Sequence, residues 1–164
     1  ESSFFPIPPD VLIIPMVLAA PSRWWLIAGV ATVGSVLGGL FGYWIGAAMM
    51  DTWGNGILAF YGKEAAFQDI AARFNEWGGW AVLVAGVTPF PYKVITIFSG
   101  AVSLSLPVFI GVSIFARALR FFVVAWLLWR YGAPIRDFIE RRLGLLFTLF
   151  VIALIGGFVV LRYI

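Results

Sequence analysis

Residues 78–106 read GGWAVLVAGVTPFPYKVITIFSGAVSLSL. The stretch is apolar enough to enter a membrane. Its middle, Thr88-Pro89-Phe90-Pro91-Tyr92-Lys93, sets two prolines two residues apart beside a lysine. Proline has no N–H and its ring clashes with the preceding turn, so a continuous helix cannot pass through this point. Each flank is shorter than the ~20 residues that a spanning helix needs. In hydrocarbon, backbone groups freed at such a break need partners inside the protein. The reading is a re-entrant helical hairpin with its tip at residues 89–93, broken at Pro89 and Pro91, and a second arm running through Ser105.

The same grammar recurs upstream. Residues 4–22 are apolar and interrupted by Pro6, Pro8, Pro9, Pro15 and Pro21, which suggests a first hairpin over 1–22 broken at Pro6, Pro8 and Pro9. A proline-kinked spanning helix is the competing reading. Residues 24–50 form a full span. Trp24 and Trp25 stand at its start and Trp44 and Trp53 towards its other end, as an aromatic belt requires. Gly34, Gly38, Gly42 and Gly46 recur at steps of four and predict a face for close helix packing. Residues 51–77 are the longest polar stretch. Phe67, Ile70, Phe74 and Trp77 recur at helical spacing and Lys63, Glu64, Asp69, Arg73 and Glu76 fall largely elsewhere, so an interfacial amphipathic helix is expected. Further spans are expected at 107–129 and 143–161. The whole is an all-α polytopic membrane protein, a single domain over 1–164. A hairpin followed by a span occurs twice, with one crossing between the hairpins, so the two repeats are inverted. In secondary transporters, broken segments at matching positions of two such halves mark the binding site near the midplane.

Composition agrees with a lipid solvent. Of 164 residues, 62% are hydrophobic and 12% charged, against about 25% charged in soluble domains. The mean hydropathy is +1.00. These values exclude a disordered chain, a nucleic-acid-binding domain and a disulfide-stapled module. The net charge of +3 comes from too few groups to serve a polyanion, and no nucleic-acid partner is expected. There is no Cys and no His, which removes thiolate chemistry, the commonest metal ligand and the usual base at neutral pH. No metal, cofactor or catalytic residue is expected, and an enzyme is the weakest reading. Any coupling proton has to ride on a carboxylate.

Arg130, Arg136, Arg141 and Arg142 cluster in the 130–142 loop, whereas 51–77 carries Lys63 and Arg73. The positive-inside rule then puts 130–142 and Arg23 in the cytoplasm and Arg162 outside. The chain opens on Glu1 without a signal peptide, and is read as starting partway into a longer protein.

Arg117 and Arg120 stand in the middle of the 107–129 span. At ~1.5 Å per residue, Arg117 lies roughly 15 Å along it, near the centre of a ~30 Å hydrocarbon core. Such a charge costs at least ~2.5–3.5 kcal/mol on insertion scales and marks a functional candidate. Snorkelling, or a structural pair with a buried acid, are the competing explanations. Guanidiniums match phosphate oxygens in bidentate geometry. Glu1 and Asp10 flank the first break and Lys93 lies at the second. The reading assigns Arg117, Arg120 and Lys93 to headgroup binding and Glu1 and Asp10 to counter-charge or proton coupling. Asp10 also fits a helix N-cap.

Three motifs carry a resemblance. Glu1-Ser-Ser-Phe-Phe-Pro6-Ile-Pro8-Pro9-Asp10 resembles the acidic, proline-rich hairpin motif of the DedA family, also called the VTT or SNARE-associated domain. The glycine ladder ending Gly42-Tyr43-Trp44-Ile45-Gly46 is similar to that family's Gly-rich helix. Thr88 to Lys93, running on to Ser99-Gly100-Ala101, resembles its second hairpin, especially in the YqaA-like branch. The resemblance covers roughly residues 1–130. It implies a multi-pass protein of the bacterial inner membrane with two opposed re-entrant hairpins and a membrane helix before the first. It also implies flipping or scrambling of phospholipids or undecaprenyl phosphate and dependence on the proton motive force. Glu1 and Asp10 then take the family's acidic hairpin positions and Lys93 lies near its Pro-x-x-Arg arginine. The other arginine has no counterpart at Gly86, Val87 or Thr88, and Arg117 and Arg120 are the candidates to supply that charge.

The expected function is transport of a phosphate-headgroup lipid by a flippase or scramblase, with membrane lipids as partners. Two rivals stand beside it. One is a proton-coupled transporter of a small soluble ion. The other is a non-transporting assembly or scaffold protein whose glycine ladder docks a partner. Among partners, a homo-oligomer is a separate expectation.

Overall fold

The computed structural model describes residues 10–88, 90–138, 141–142, 144–145, 148–149 and 152. Helices account for its regular structure, and no strand occurs among the described residues. α1 (Asp10–Ala19) has ten residues. At ~1.5 Å per residue it is ~15 Å long, half of a hydrocarbon core. Pro15 lies inside it, and Pro21 opens a 3-10 turn, Pro21–Arg23, that redirects the chain. Pro6, Pro8, Pro9, Glu1 and Pro89 lie outside the described residues, as does most of the expected 143–161 span.

α2 (Trp24–Met49) runs 26 residues and passes through a π-helical turn, Met50–Gly54, into α3 (Asn55–Tyr61). Gly62 ends α3 at φ +61, a left-handed cap that glycine adopts without a Cβ penalty. α4 (Glu64–Val87) follows. The 51–77 stretch, expected as one amphipathic helix, is thus divided at Gly62. Its first part extends α2, and its second is continuous with the apolar 78–87. Pro21–Tyr61 and Leu106–Tyr131 are long and apolar enough to cross a membrane.

α5 (Tyr92–Ala101) doubles back along α4. The Tyr92 ring faces Gly86 near α4's end. Phe98 meets Phe74 edge-on with ring centroids 4.9 Å apart. Asn75 Nδ2 donates to the Val102 carbonyl at 3.1 Å. The end of α4 and α5 therefore form an antiparallel helical hairpin. Ser103, at φ 54, turns the chain into α6 (Leu106–Tyr131).

α2 packs chiefly on α5 and α6. At the α2–α5 crossing the backbones touch. A Cβ on Gly46 would overlap the Ile97 carbonyl, and one on Gly100 the Tyr43 carbonyl. The expected ladder is corrected at its other end. Gly34 is exposed with nothing within 4 Å of an added Cβ, and Gly38 is only half-buried. The buried seam is Thr32, Ser35, Gly39, Gly42 and Gly46. With ~3.6 residues per turn, each step of four drifts ~40°, so Gly34 lies a third of a turn away from Gly46. Alternating steps of three and four hold the face. That face is filled by α5 and α6 of the same chain.

Two apolar clusters frame the middle of the molecule. Ile13, Ile14 and Val17 of α1 pack with Ala28, Phe121 and Leu128. Val82, Ala85, Tyr92, Leu104 and Phe109 form the second. The outside is apolar as well: Val30 is 67% exposed, Trp44 65% and Phe115 61%. Asp10, Thr96, Ser99, Ser113, Arg117 and Arg120 are buried. Water rarely meets so much apolar surface on a soluble monomer. This polarity suits a lipid surround.

Candidate functional site: a buried arginine pair between two helix breaks

Ser113, Arg117 and Arg120 stand on one face of α6 at steps of four and three, the helical spacing of neighbours. All three are buried, Arg117 completely and Arg120 to 9% exposure. The face turns towards α1, α2 and the hairpin formed by α4 and α5.

Arg120 joins the two breaks. Its Nη2 donates to Asp10 Oδ2 at 2.5 Å, at the first residue of α1. Its Nη1 donates to the Thr88 carbonyl at 2.7 Å, where α4 stops. Thr88 has left the helix, with ψ 165. The residue before a proline is pushed out of the helical region, and Pro89 follows Thr88, so the Thr88 carbonyl no longer points along the helix to an N–H of a next turn. The guanidinium takes the place of that missing donor. Asp10 is 2% exposed. Its Oδ2 belongs to Arg120, and its Oδ1 accepts no hydrogen bond among the described residues, so the carboxylate does not cap α1. Asp10 acts instead as a charge partner from 110 positions away.

Arg117 lies one turn nearer the start of α6. Its Nε donates to Ser35 Oγ of α2 at 2.6 Å. Its guanidinium carbon sits 4.7 Å from the Tyr92 ring centre and 4.6 Å from that of Phe121. The cation therefore lies over two aromatic π-clouds, an arrangement suited to a weakly hydrated guanidinium. Tyr92 Oη donates to Ser113 Oγ at 2.5 Å, which fixes the ring that carries the stack. Lys93 sits beside Tyr92 in the first turn of α5, half-buried. A cation there opposes the helix dipole, and among the described residues it makes no ion pair.

Of the sequence-derived candidates, Asp10, Arg117 and Arg120 are brought together by contact or along one face, with Lys93 at the neighbouring helix start. Glu1 lies outside the described residues. Sequence reasoning passed over Ser35, Tyr92, Ser113 and the Thr88 carbonyl. Ser113 carried a usable signal, four residues before Arg117 on the same stripe. Ser35 carried another, as a polar residue beside Thr32 in an apolar span.

Chemically, the cluster presents two fixed guanidiniums and one carboxylate in a water-poor layer. An incoming anion that engages Arg120 through two oxygens has to displace Asp10 or share Arg120 with it.

A family model described as VTT domain matches residues 7–130. An uncharacterized protein of Haemophilus influenzae is 37% identical over 144 residues, covering 85% of this chain and 74% of its own length. An uncharacterized protein of Histophilus somni is 35% identical over 144 residues, covering 85% of this chain and 75% of its own. No solved structure matches.

Proposed function

The chain belongs to the VTT-domain (DedA) family of membrane proteins, and from that footing we propose that it moves phosphate-headgroup lipids across the bacterial inner membrane. The observation that carries the reading is Arg120, held between Asp10 of one helix break and the Thr88 carbonyl of the other. Structural scaffolding alone does not call for a charge at this depth, because apolar side chains of similar volume generally serve as well or better than a buried ion pair. An exchangeable anion does call for one.

In this reading α1 and the hairpin of α4 and α5 are re-entrant, and their breaks meet near the membrane midplane. The phosphate of a phospholipid or of undecaprenyl phosphate replaces the Asp10 carboxylate on Arg120 and is shared with Arg117 and Lys93, while the acyl chains stay in lipid. Displaced from its cation, Asp10 takes up a proton, and releases it when the pair re-forms. This exchange is the coupling step. A transporter of a small soluble ion would use the same exchange, but the exposed apolar faces of α2 and α6 favour a ligand with a lipid tail.

The test is transbilayer movement of labelled phospholipid and of undecaprenyl phosphate in reconstituted vesicles. Arg117→Ala and Arg120→Ala are expected to slow it at least tenfold. Wild-type rates in folded variants would refute the site. Movement of free phosphate without lipid movement would favour the soluble-ion reading.

A further inference from the structure

α1 and α5 are both ten-residue helices beside the arginine pair, and they are fastened in different ways. α5 is held by its backbone. Its Gly100 lies against the Tyr43 carbonyl of α2, and its Ile97 carbonyl against Gly46, so the two main chains meet with no side chain between them. Tyr92 and Thr96 close over Gly39 of α2, and Tyr92 Oη donates to Ser113 of α6. Past the end of α5, Tyr43 Oη donates to the Leu104 carbonyl at 2.6 Å and Asn75 of α4 to the Val102 carbonyl. α2, α4 and α6 each grip α5 or the turn that follows it.

α1 has none of these holds among the described residues. From Val11 to Ala19 it carries no polar side chain. Ile13, Ile14 and Val17 rest on Ala28, Phe121 and Leu128, and Val11, Leu12 and Met16 are exposed. In water such packing would hold a helix through the hydrophobic effect. In a membrane it does so weakly, because a lipid tail is as apolar as leucine and can replace the same contacts. Pro15 also withdraws one N–H from the helix's own ladder. What remains specific is the ion pair at its first residue, Asp10 with Arg120.

We propose that α1 is the moving gate of the arginine site and the Asp10–Arg120 pair its latch, while the α4–α5 hairpin is the fixed wall. That α1 gates a site rests on the transport reading above; that α1 is the element held by a latch does not. A ligand shifts an equilibrium only by binding its two states unequally. An anion at Arg120 meets this condition, because Arg120 is engaged by Asp10 while α1 is seated and is free to pair when α1 is displaced. The anion therefore releases the helix that it has to pass, and re-formation of the ion pair seats α1 again. α5 takes no part in the motion, since its crossing with α2 leaves no room even for a Cβ at Gly46 or Gly100.

The chain has no native Cys, so spin labels go only where a cysteine is introduced. Met16 of α1, Val33 of α2 and Val94 of α5 are each at least half exposed and take a label without disturbing the core. In the full chain reconstituted in vesicles, Met16→Cys with Val33→Cys reports α1 against α2, and Val94→Cys with Val33→Cys reports α5 against α2, by electron paramagnetic resonance distances. Asp10→Leu removes the latch, and Asp10→Asn removes its charge with the shape kept, should the first variant fold poorly. Either is expected to raise a displaced population of α1 about tenfold, with the Met16–Val33 distance changed by ~5 Å, the height of one helical turn, and the Val94–Val33 distance unchanged. No change in the Met16–Val33 distance, or a change of the Val94–Val33 distance as large, would overturn the proposal. Labelled-lipid movement in the same vesicles separates the two readings. Displacement of α1 without lipid movement by the wild type supports the latch and overturns the transport reading, whereas lipid movement with α1 fixed overturns the gate alone.

Discussion

Replacing Arg120 by Met removes the cation that joins α1 to the end of α4. Two acceptors lose their partner: the buried Asp10 carboxylate, 2.5 Å from Nη2, and the part-buried Thr88 carbonyl, 2.7 Å from Nη1. Both side chains of the ion pair are less than a tenth exposed, so solvent does little to compensate. Breaking one side of a buried pair costs about 3–5 kcal/mol. For a chain of this size that corresponds to a fall of about 6–20 °C in unfolding midpoint. Asp10→Leu leaves Arg120 charged but still bonded to the Thr88 carbonyl, and belongs at the lower end of that range. The double variant removes both charges. It then bears only the orphaned carbonyl, about 1–3 kcal/mol, and is expected to be more stable than Arg120→Met alone. The assay is thermal unfolding in detergent micelles, followed by tryptophan fluorescence and arranged as a double-mutant cycle. If the two single effects simply add in the double variant, the ion pair does not join the helix breaks and the reasoning fails.

Three other substitutions test separate contacts. Gly100→Ala places a methyl group into the Tyr43 carbonyl, and should destabilise the α2–α5 crossing severely, whereas Gly34→Ala meets nothing and should gain about 0.5–1 kcal/mol of helix propensity; folded yield and unfolding midpoint distinguish them. Arg117→Lys keeps the charge but loses the Nε bond to Ser35 and the guanidinium contact over Tyr92 and Phe121, so the unfolding midpoint should fall by several degrees and lipid movement should slow despite the conserved charge. Tyr92→Phe deprives Ser113 of its donor at about 1–3 kcal/mol, read as a lower midpoint with the near-UV signal of the folded core retained.

Much of the fold was legible because hydrocarbon imposes few solutions. Pro91 forbids a continuous helix, and α4 and α5 stop on either side of it. The length of α2 was less legible. Nothing in 50–54 ends a helix, and the chain runs on until Gly62 adopts a positive φ. The packing face was misread for a geometric reason: a strict four-residue repeat winds around the helix, so Gly34 leaves the seam that Gly39 joins. In the site, the depth of Arg117 and Arg120 could be counted along the chain. Their partners could not. Ser35 is 82 positions from Arg117, and the Thr88 carbonyl is a backbone group that no side-chain pattern advertises.

The sequence by itself determined the solvent and the anomaly. Its apolar composition demands lipid, and two arginines inside an apolar helix demand compensation, because charge transfer into hydrocarbon is costly wherever the chain goes. Only the tertiary structure decided what compensates each arginine. Arg120 received a carboxylate and a broken helix's carbonyl, and Arg117 a hydroxyl and two aromatic faces. Phe121 stands one turn on from Arg117 in the same helix, but Asp10, Thr88, Ser35 and Tyr92 are chosen by distances of 2.5–4.7 Å between segments remote in sequence, which follow from how the helices cross.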